Sequence, residues 1–384
     1  MPRIYLDHAA TTPVRAEVRD AMAPYLHETF GNPSSLHAEG RSARSALEDA
    51  RDRVGGTLGV PASTIRFVRG GTESDNLAIL GRADRARGEG RAPLVAVSAV
   101  EHRAVLEAAA AVEDRGGELI HLPVDRSGGM DEGALESALE READLVSVMW
   151  VNNEVGIQLP VEEIATRCRD AGVCIHTDAV QAVGHVPVDL AAAPVDLLTA
   201  TGHKIYGPKS TGILYVRDGV ELSPRLFGGG QESGVRPGTQ DVAGAVGMAV
   251  ALESACRERD DEAERLAGLR NDLERRLTDT IPDLRIHGEH APRAPHISNV
   301  GIPGVELDTL LVALDLAGVA VSSGSACSSG AVRASHVLTA LYGDEVGSMA
   351  TLRFSLGRET GEEEIRSAAA IVVSSVNRVR STAA

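Results

Sequence analysis

TIRFVRGGTESDNLAILGRADRA, residues 64–86, passes from a short β-branched run through a Gly-Gly turn directly into a helical stretch. The same unit recurs: PLVAVSAV is followed by RAVLEAAAAVEDR, ELIHLPV by EGALESALE, and DLVSVMWV by VEEIATRCRDAG, with further apolar runs at VCIHTDA, VDLLTAT and GILYVRD. Apolar runs set between amphipathic helices are strands buried on both faces. The pattern therefore predicts an α/β fold, a largely parallel sheet covered by helices.

FGGGQESGVRPGT, residues 227–239, ends the alternation and leads into a long helical stretch. The charged segment CRERDDEAERLAGLRNDLERRL that follows reads as a separate connecting helix. After it come strand HISNVGI, helix VELDTLLVALDLAG, strand VAVSS, a Ser/Gly loop, strand TLRFSLG and a last helix, EEEIRSAAAIVVSSVNRV. The expected division is a large domain over 14–253 and a smaller α/β domain over 254–384, with the arm 1–13 docked on it. There is no internal repeat, and the low-complexity stretch is SSGSACSSG, residues 322–330.

Composition narrows the function. The 384 residues carry a formal charge of -17, which argues against direct, tight binding to a nucleic-acid backbone. The N-terminus MPRIYLDHAATTP has no apolar leader, and no stretch approaches the roughly 20 apolar residues of a membrane span, so a cytoplasmic location is expected. Cys168, Cys174, Cys256 and Cys327 form no CxxC pair and suggest no disulfide framework. Of the 38 Lys plus Arg, only Lys204 and Lys209 are lysine. Where arginine serves for charge, a surviving lysine can mark chemistry, because an ε-amine can attack a carbonyl to form an imine and a guanidinium cannot; two surface lysines left by chance is the bland alternative.

In open α/β sheets ligands bind at the carboxyl ends of the strands. The residues that follow the runs are RGGTESDN, EHR, NNEVG, DAVQ and GHK. They bring Thr72, His102, Asn153, Asp178 with Gln181, and His203 with Lys204 to one edge. Gly70-Gly71-Thr72 offers backbone N–H groups and a hydroxyl to an anion, although taken alone an ordinary tight turn is the commoner reading. Asp178 alone could be a loop-starting carboxylate, and His102 alone a satisfied or solvated histidine. Together, an imine-forming lysine, a phosphate cradle, a buried Asp and a flat imidazole match what pyridoxal phosphate requires. No GxGxxG, P-loop or HExxH accompanies them, so dinucleotide, P-loop and metal readings are weak. Cys327 lies among Ser, Gly and Ala with nothing apolar to bury it, whereas Cys168, Cys174 and Cys256 read as structural. Arg353, in TLRFSLGR, could clasp a carboxylate with its guanidinium fork.

These residues resemble the NifS/IscS-type cysteine desulfurases, pyridoxal-phosphate enzymes of the aspartate aminotransferase fold. YLDHAATTP, FGNPSS, GGTESDN, EHRAVL, VNNEVG, HTDAVQ, GHKIYGPK, RPGT, SSGSAC and LRFSLGR stand in family order over almost the whole chain. The resemblance implies a mainly parallel seven-stranded sheet between helices and a smaller C-terminal α/β domain carrying the cysteine loop. It further implies that Lys204 holds the cofactor aldehyde as an imine and that Asp178 pairs with the pyridinium. His102 would stack on the ring and serve in proton transfer, and Gln181 would bond the ring hydroxyl. Gly71, Thr72, Thr201 and His203 would hold the phosphate, joined by Thr239 from the second subunit of a homodimer. Asn153 and Arg353 would orient the substrate L-cysteine, and Cys327 would carry its sulfur as a persulfide to an acceptor protein. Trp150 departs from the smaller or polar residue expected before VNNE. The sulfur's destination stays open among iron-sulfur assembly, tRNA thiolation and DNA phosphorothioation, and the wording is similar to desulfurases of the last. Rival readings on the same fold are an aminotransferase or selenocysteine lyase, which leave Cys327 without a role, and a non-catalytic cofactor-binding scaffold for sulfur carriers.

Overall fold

The computed structural model of the chain describes residues 3–323, 335–346 and 349–383. Strand β1 (Ile4–Tyr5) and helices α1 (Ala16–His27) and α2 (Ala38–Leu58) precede the alternation. It then runs β2 (Ile65–Val68), α3 (Gly71–Gly88), β3 (Leu94–Ser98), α4 (Arg103–Glu113), β4 (Glu118–Leu122), α5 (Glu132–Glu140) and β5 (Leu145–Ser147). It continues with α6 (Val161–Asp170), β6 (Ile175–Asp178), β7 (Leu197–Thr201) and β8 (Gly212–Val216). These strands form one seven-stranded sheet in the order β2-β8-β7-β6-β5-β3-β4. Pairing is parallel from β4 through β3, β5 and β6 to β7, while β8 runs antiparallel to both its neighbours.

Every residue of β3 and of β7 is buried, as strands covered on both faces must be. The edge strand β4 exposes Glu118 and His121 and contributes nothing to the strand-end cluster described below. Fully buried aliphatics such as Ile175, three residues before Asp178, each stabilise the sheet by roughly 1.5–3 kcal/mol. Their packing fixes where the strand tips lie.

One expectation is corrected. The long helical stretch and the charged connector are a single 37-residue helix, α7 (Val242–Thr278), opened by Asp241, whose side chain accepts from Gly244 N–H. The linking residues ALESACRE carry no Gly or Pro and include strong helix formers, so nothing stops the helix there. The expected boundary between 253 and 254 falls inside it. Its first part, through Leu252 and Ala255, packs in the core of the seven-stranded sheet, and Leu266, Leu269, Leu273 and Leu277 pack in a second core.

That second core covers β9 (Arg285–His287), β10 (Ile297–Pro303), α8 (Leu307–Leu316) and β11 (Val319–Ala320). It also covers β12 (Met349–Ser355) and α10 (Glu362–Ala383), whereas α9 (His336–Tyr342), between β11 and β12, packs Val337, Leu338 and Leu341 into the first core. Here the sheet is antiparallel, in the order β12-β10-β9. β1 pairs in parallel with β11, Ile4 opposite Val319, and Asp7 bridges to Ser355. The N-terminal arm is thereby carried onto the tips of β6 and β7, where Thr12 N–H donates to the His203 carbonyl at 2.9 Å. Among the described residues no helix is long and apolar enough to cross a membrane, and no group of three or more His, Cys, Asp or Glu could hold a metal ion.

Candidate active site

β7 ends at Thr201, and Gly202–Lys204 form a single tight turn that delivers Lys204 beside the arm. Its Nζ donates to the Ala9 carbonyl at 2.5 Å and the Ala10 carbonyl at 2.8 Å. Gln181 Nε2 donates to the same Ala9 carbonyl at 2.9 Å, so the lysine and the glutamine meet on one acceptor.

Asp178 closes β6 with only 4% of its surface exposed, and its Oδ1 accepts Val180 N–H at 2.9 Å. Burial pushes its carboxyl above the usual range; His102 and, more weakly, Lys204 pull it back. A cationic ring nitrogen placed against it would supply the counter-charge that burial demands. His102 caps α4: its Nδ1 accepts Ala104 N–H at 3.1 Å, which leaves the ring hydrogen on Nε2. Burial lowers its basicity, opposed by Asp178 and aided by Lys204, so the three groups share one electrostatic neighbourhood. His203 is pushed down to about 4, first by burial and then by Lys204 and Lys209, and its Nδ1 lies 3.2 Å from Thr11 Oγ1.

The N-terminus of α3 is open. Gly70 sits at φ 112, where a side chain is strained, and no side chain caps the helix. A Cβ on Gly71 would come within 3.2 Å of Val180, and one on Gly70 within 3.8 Å of Thr201 Oγ1. Thr72 is exposed in the first turn, and Thr201 is buried with its hydroxyl donating to the Thr211 carbonyl at 2.9 Å. Uncapped N–H groups beside the exposed Thr72 suit a phosphate. The buried carboxylate, the primary amine and this cradle together fit pyridoxal phosphate.

Arg353, expected to face a substrate carboxylate, lies on β12 and is only 3% exposed. Its Nη2 pairs with Asp7 Oδ1 at 2.8 Å and its Nη1 donates to the Asn153 carbonyl at 2.8 Å. Its Nε has no hydrogen-bond partner among the described residues. Asn153 is thus joined to Arg353 through its backbone, its side chain being half-buried. Thr239 is exposed in the segment before α7 and is not drawn into the cluster around Lys204. Lys209 is exposed. Trp150 is buried in the first core, its backbone N–H donating to the Asp178 carbonyl at 3.0 Å.

Burial pushes the thiols of Cys168, to about 12, and of Cys174 and Cys256 well away from ionisation at neutral pH. Cys327 lies outside the described residues. The residues on either side of 324–334 are pinned to the site: Ser322 exchanges backbone hydrogen bonds with Arg353, and Ser335 Oγ donates to Glu154 Oε2 at 2.5 Å. His336 Nε2 reaches the Glu101 carbonyl at 2.9 Å.

Two further acids escaped the sequence reading. Glu101 is wholly buried, accepts from Ser98 Oγ at 2.7 Å and Met149 N–H at 2.6 Å, and burial raises it to about 8. Asp75 is likewise pushed up by burial, with Asp178 adding to the shift. Both stand in the strand-end segments EHR and TESDN, so their positions were a signal; their burial was not.

The family profile Aminotransferase class-V matches residues 4–367. The cysteine desulfurase IscS of Dictyoglomus turgidum is 44% identical over 94% of this chain and 91% of its own. A solved NifS-like protein superposes with a TM-score of 0.89 at 33% identity, covering 98% of this chain and all of that one. The solved complex of SspA with cysteine superposes with a TM-score of 0.79 at 32% identity, covering 92% and 98%. With the lysine, the aspartate and the open helix end at the tips of one parallel sheet, the chain belongs to the class-V aminotransferase family, in its cysteine desulfurase branch.

Proposed function

We infer that the protein is a pyridoxal-phosphate-dependent cysteine desulfurase that converts L-cysteine to L-alanine and holds the released sulfur as a persulfide on Cys327. The observation that carries this is the convergence of Lys204, Asp178 and His102 beneath the uncapped end of α3. Lys204 would hold the cofactor through its aldehyde; α3, Thr72, Thr201 and His203 would hold the phosphate; Asp178 would hold the ring nitrogen and Gln181 the ring hydroxyl. When bound, pyridoxal phosphate supplies a ring that takes up the electron pair released at the substrate Cα.

The protein's own groups do the rest. His102 presents a flat ring and holds a proton at Nε2, because its Nδ1 is spent on Ala104 N–H. Arg353 pairs with the substrate carboxylate, with Asp7 and Asn153 keeping the guanidinium in place. The Cys327 thiolate attacks the cysteine sulfur: the S–S bond forms as the substrate C–S bond breaks, the electron pair stays on carbon, and the proton lost by the thiol ends there in alanine. The persulfide then passes to an acceptor protein, consistent with a chain too acidic for direct nucleic-acid contact.

Thr239, exposed and outside the cluster, serves the phosphate of a second subunit in a homodimer. The large domain spans 14–253, and the smaller, with arm 1–13 and residues 254–384, carries the cysteine loop; α7 crosses between them. Borohydride reduction of the cofactor-loaded protein tests the first step. Label is expected on Lys204, and label on Lys209 instead would overturn the assignment. Cys327→Ser tests the last: cofactor colour is kept and persulfide is lost. Persulfide formation by that variant at the normal rate would exclude the proposed carrier.

A further inference from the structure

Behind Gln181 two imidazoles stack. The rings of His185 and His296 lie 3.9 Å apart between centroids, with their planes inclined by 21°. His185 follows β6 and His296 immediately precedes β10, so the stack joins the site of the first sheet to the second sheet. Each ring is also tied to a residue of the site: His185 Nε2 lies 3.2 Å from the Lys204 carbonyl, and His296 Nε2 lies 3.4 Å from Gln181 Oε1.

These contacts determine where the hydrogens are. A carbonyl oxygen only accepts, so Nε2 of His185 is the donor. One hydrogen of the Gln181 amide nitrogen goes to the Ala9 carbonyl and the other stays available, which leaves Oε1 facing His296 and makes His296 Nε2 a donor as well. His296 Nδ1 then carries a lone pair and no hydrogen, in keeping with its burial without a hydrogen-bond partner among the described residues. Burial keeps both rings neutral, His185 down at about 4 and His296 well below the imidazole range. Neutral rings can stack where two imidazolium ions would repel. Reversing the Gln181 amide would set Oε1 against the Ala9 carbonyl and NH2 against the His296 N–H, trading two hydrogen bonds for two contacts of like polarity.

We propose that the His185–His296 stack is a positioning element that locks the Gln181 side chain with its NH2 end toward the cofactor. It rests on the desulfurase reading only in naming the ring hydroxyl of pyridoxal phosphate as the oxygen that NH2 group meets. His296 orients the amide directly; His185 holds His296 and anchors the backbone of Lys204, so the two cofactor contacts are set from one stack.

The test has two parts on the full-length protein. Nitrogen-15 NMR of the cofactor-free protein reads the tautomer: hydrogen on His296 Nε2 is expected, and hydrogen on Nδ1 overturns the proposal. Titration with pyridoxal phosphate then compares variants. His296→Leu is expected to weaken binding on the order of tenfold and to shift the visible absorption band of the bound cofactor. His296→Gln, which can still present an N–H to Oε1, should restore both. A His296→Leu protein with wild-type affinity and an unshifted band overturns the proposal and leaves the desulfurase reading standing. Wild-type protein that binds no pyridoxal phosphate would overturn that reading, and the NMR result would still decide the tautomer.

Discussion

The tips of the parallel sheet and the strands of the small antiparallel sheet both feed the site, but they do so in opposite ways. Asp178, Thr201 and Lys204 come from short local units, each side chain placed by the strand or turn it ends. Arg353 sits within a strand and owes its position to Asp7, 346 residues away, and to Asn153, 200 residues away. Local placement is robust and legible; long-range placement is specific and hidden. The proposed mechanism puts the cofactor chemistry on the first and substrate selection on the second.

The largest expected effect lies in the local region. Lys204→Ala should lower turnover at least on the order of a thousandfold, measured as alanine released from L-cysteine, because of the two lysines Lys204 alone is half-buried against the arm and Lys209 is exposed. Turnover within a few-fold of wild type would break the assignment of the two regions. Arg353→Lys probes the long-range region more gently. It keeps the charge and loses the fork, so kcat/KM for L-cysteine should fall about 10–100-fold, mainly through KM, with cofactor absorbance unchanged. A loss confined to kcat would mean that Arg353 acts on the chemistry rather than on the carboxylate.

The contrast also explains what the chain alone revealed. The seven strand runs, the Gly70-Gly71 turn and the residues at the strand ends were readable because each depends on neighbours a few positions away. The single helix α7 looks like two in sequence because its composition changes from apolar to charged near Cys256, a change that reflects which core it packs against and not a break in the backbone. The Ala9 carbonyl shared by Lys204 and Gln181, the Asp7–Arg353 pair and the His185–His296 stack are contacts across 111 to 346 residues, and no local pattern announces them.

A smaller effect is expected beneath the sheet tips. His176 is fully buried between Ser147 Oγ and Thr199 Oγ1, and burial pushes it down to about 3. Its folded value lies below the unfolded one, so the neutral ring contributes stability that is complete above about 6.5 and is lost as pH falls toward its folded value. Urea unfolding should show this loss, with a ceiling on the order of 5 kcal/mol, and His176→Asn should flatten it. An unchanged acid slope in that variant would assign the loss to other buried groups, His185 and His203 first.

The central claim is that sulfur leaves L-cysteine for Cys327 while the three other cysteines stay inert. Mixing the cofactor-loaded protein with one equivalent of L-cysteine, alkylating and mapping peptides by mass spectrometry tests it most directly. One added sulfur atom is expected on the peptide bearing Cys327, matched by alanine mole for mole. Added sulfur on Cys168, Cys174 or Cys256, or alanine formed with Cys327 unmodified, would contradict it.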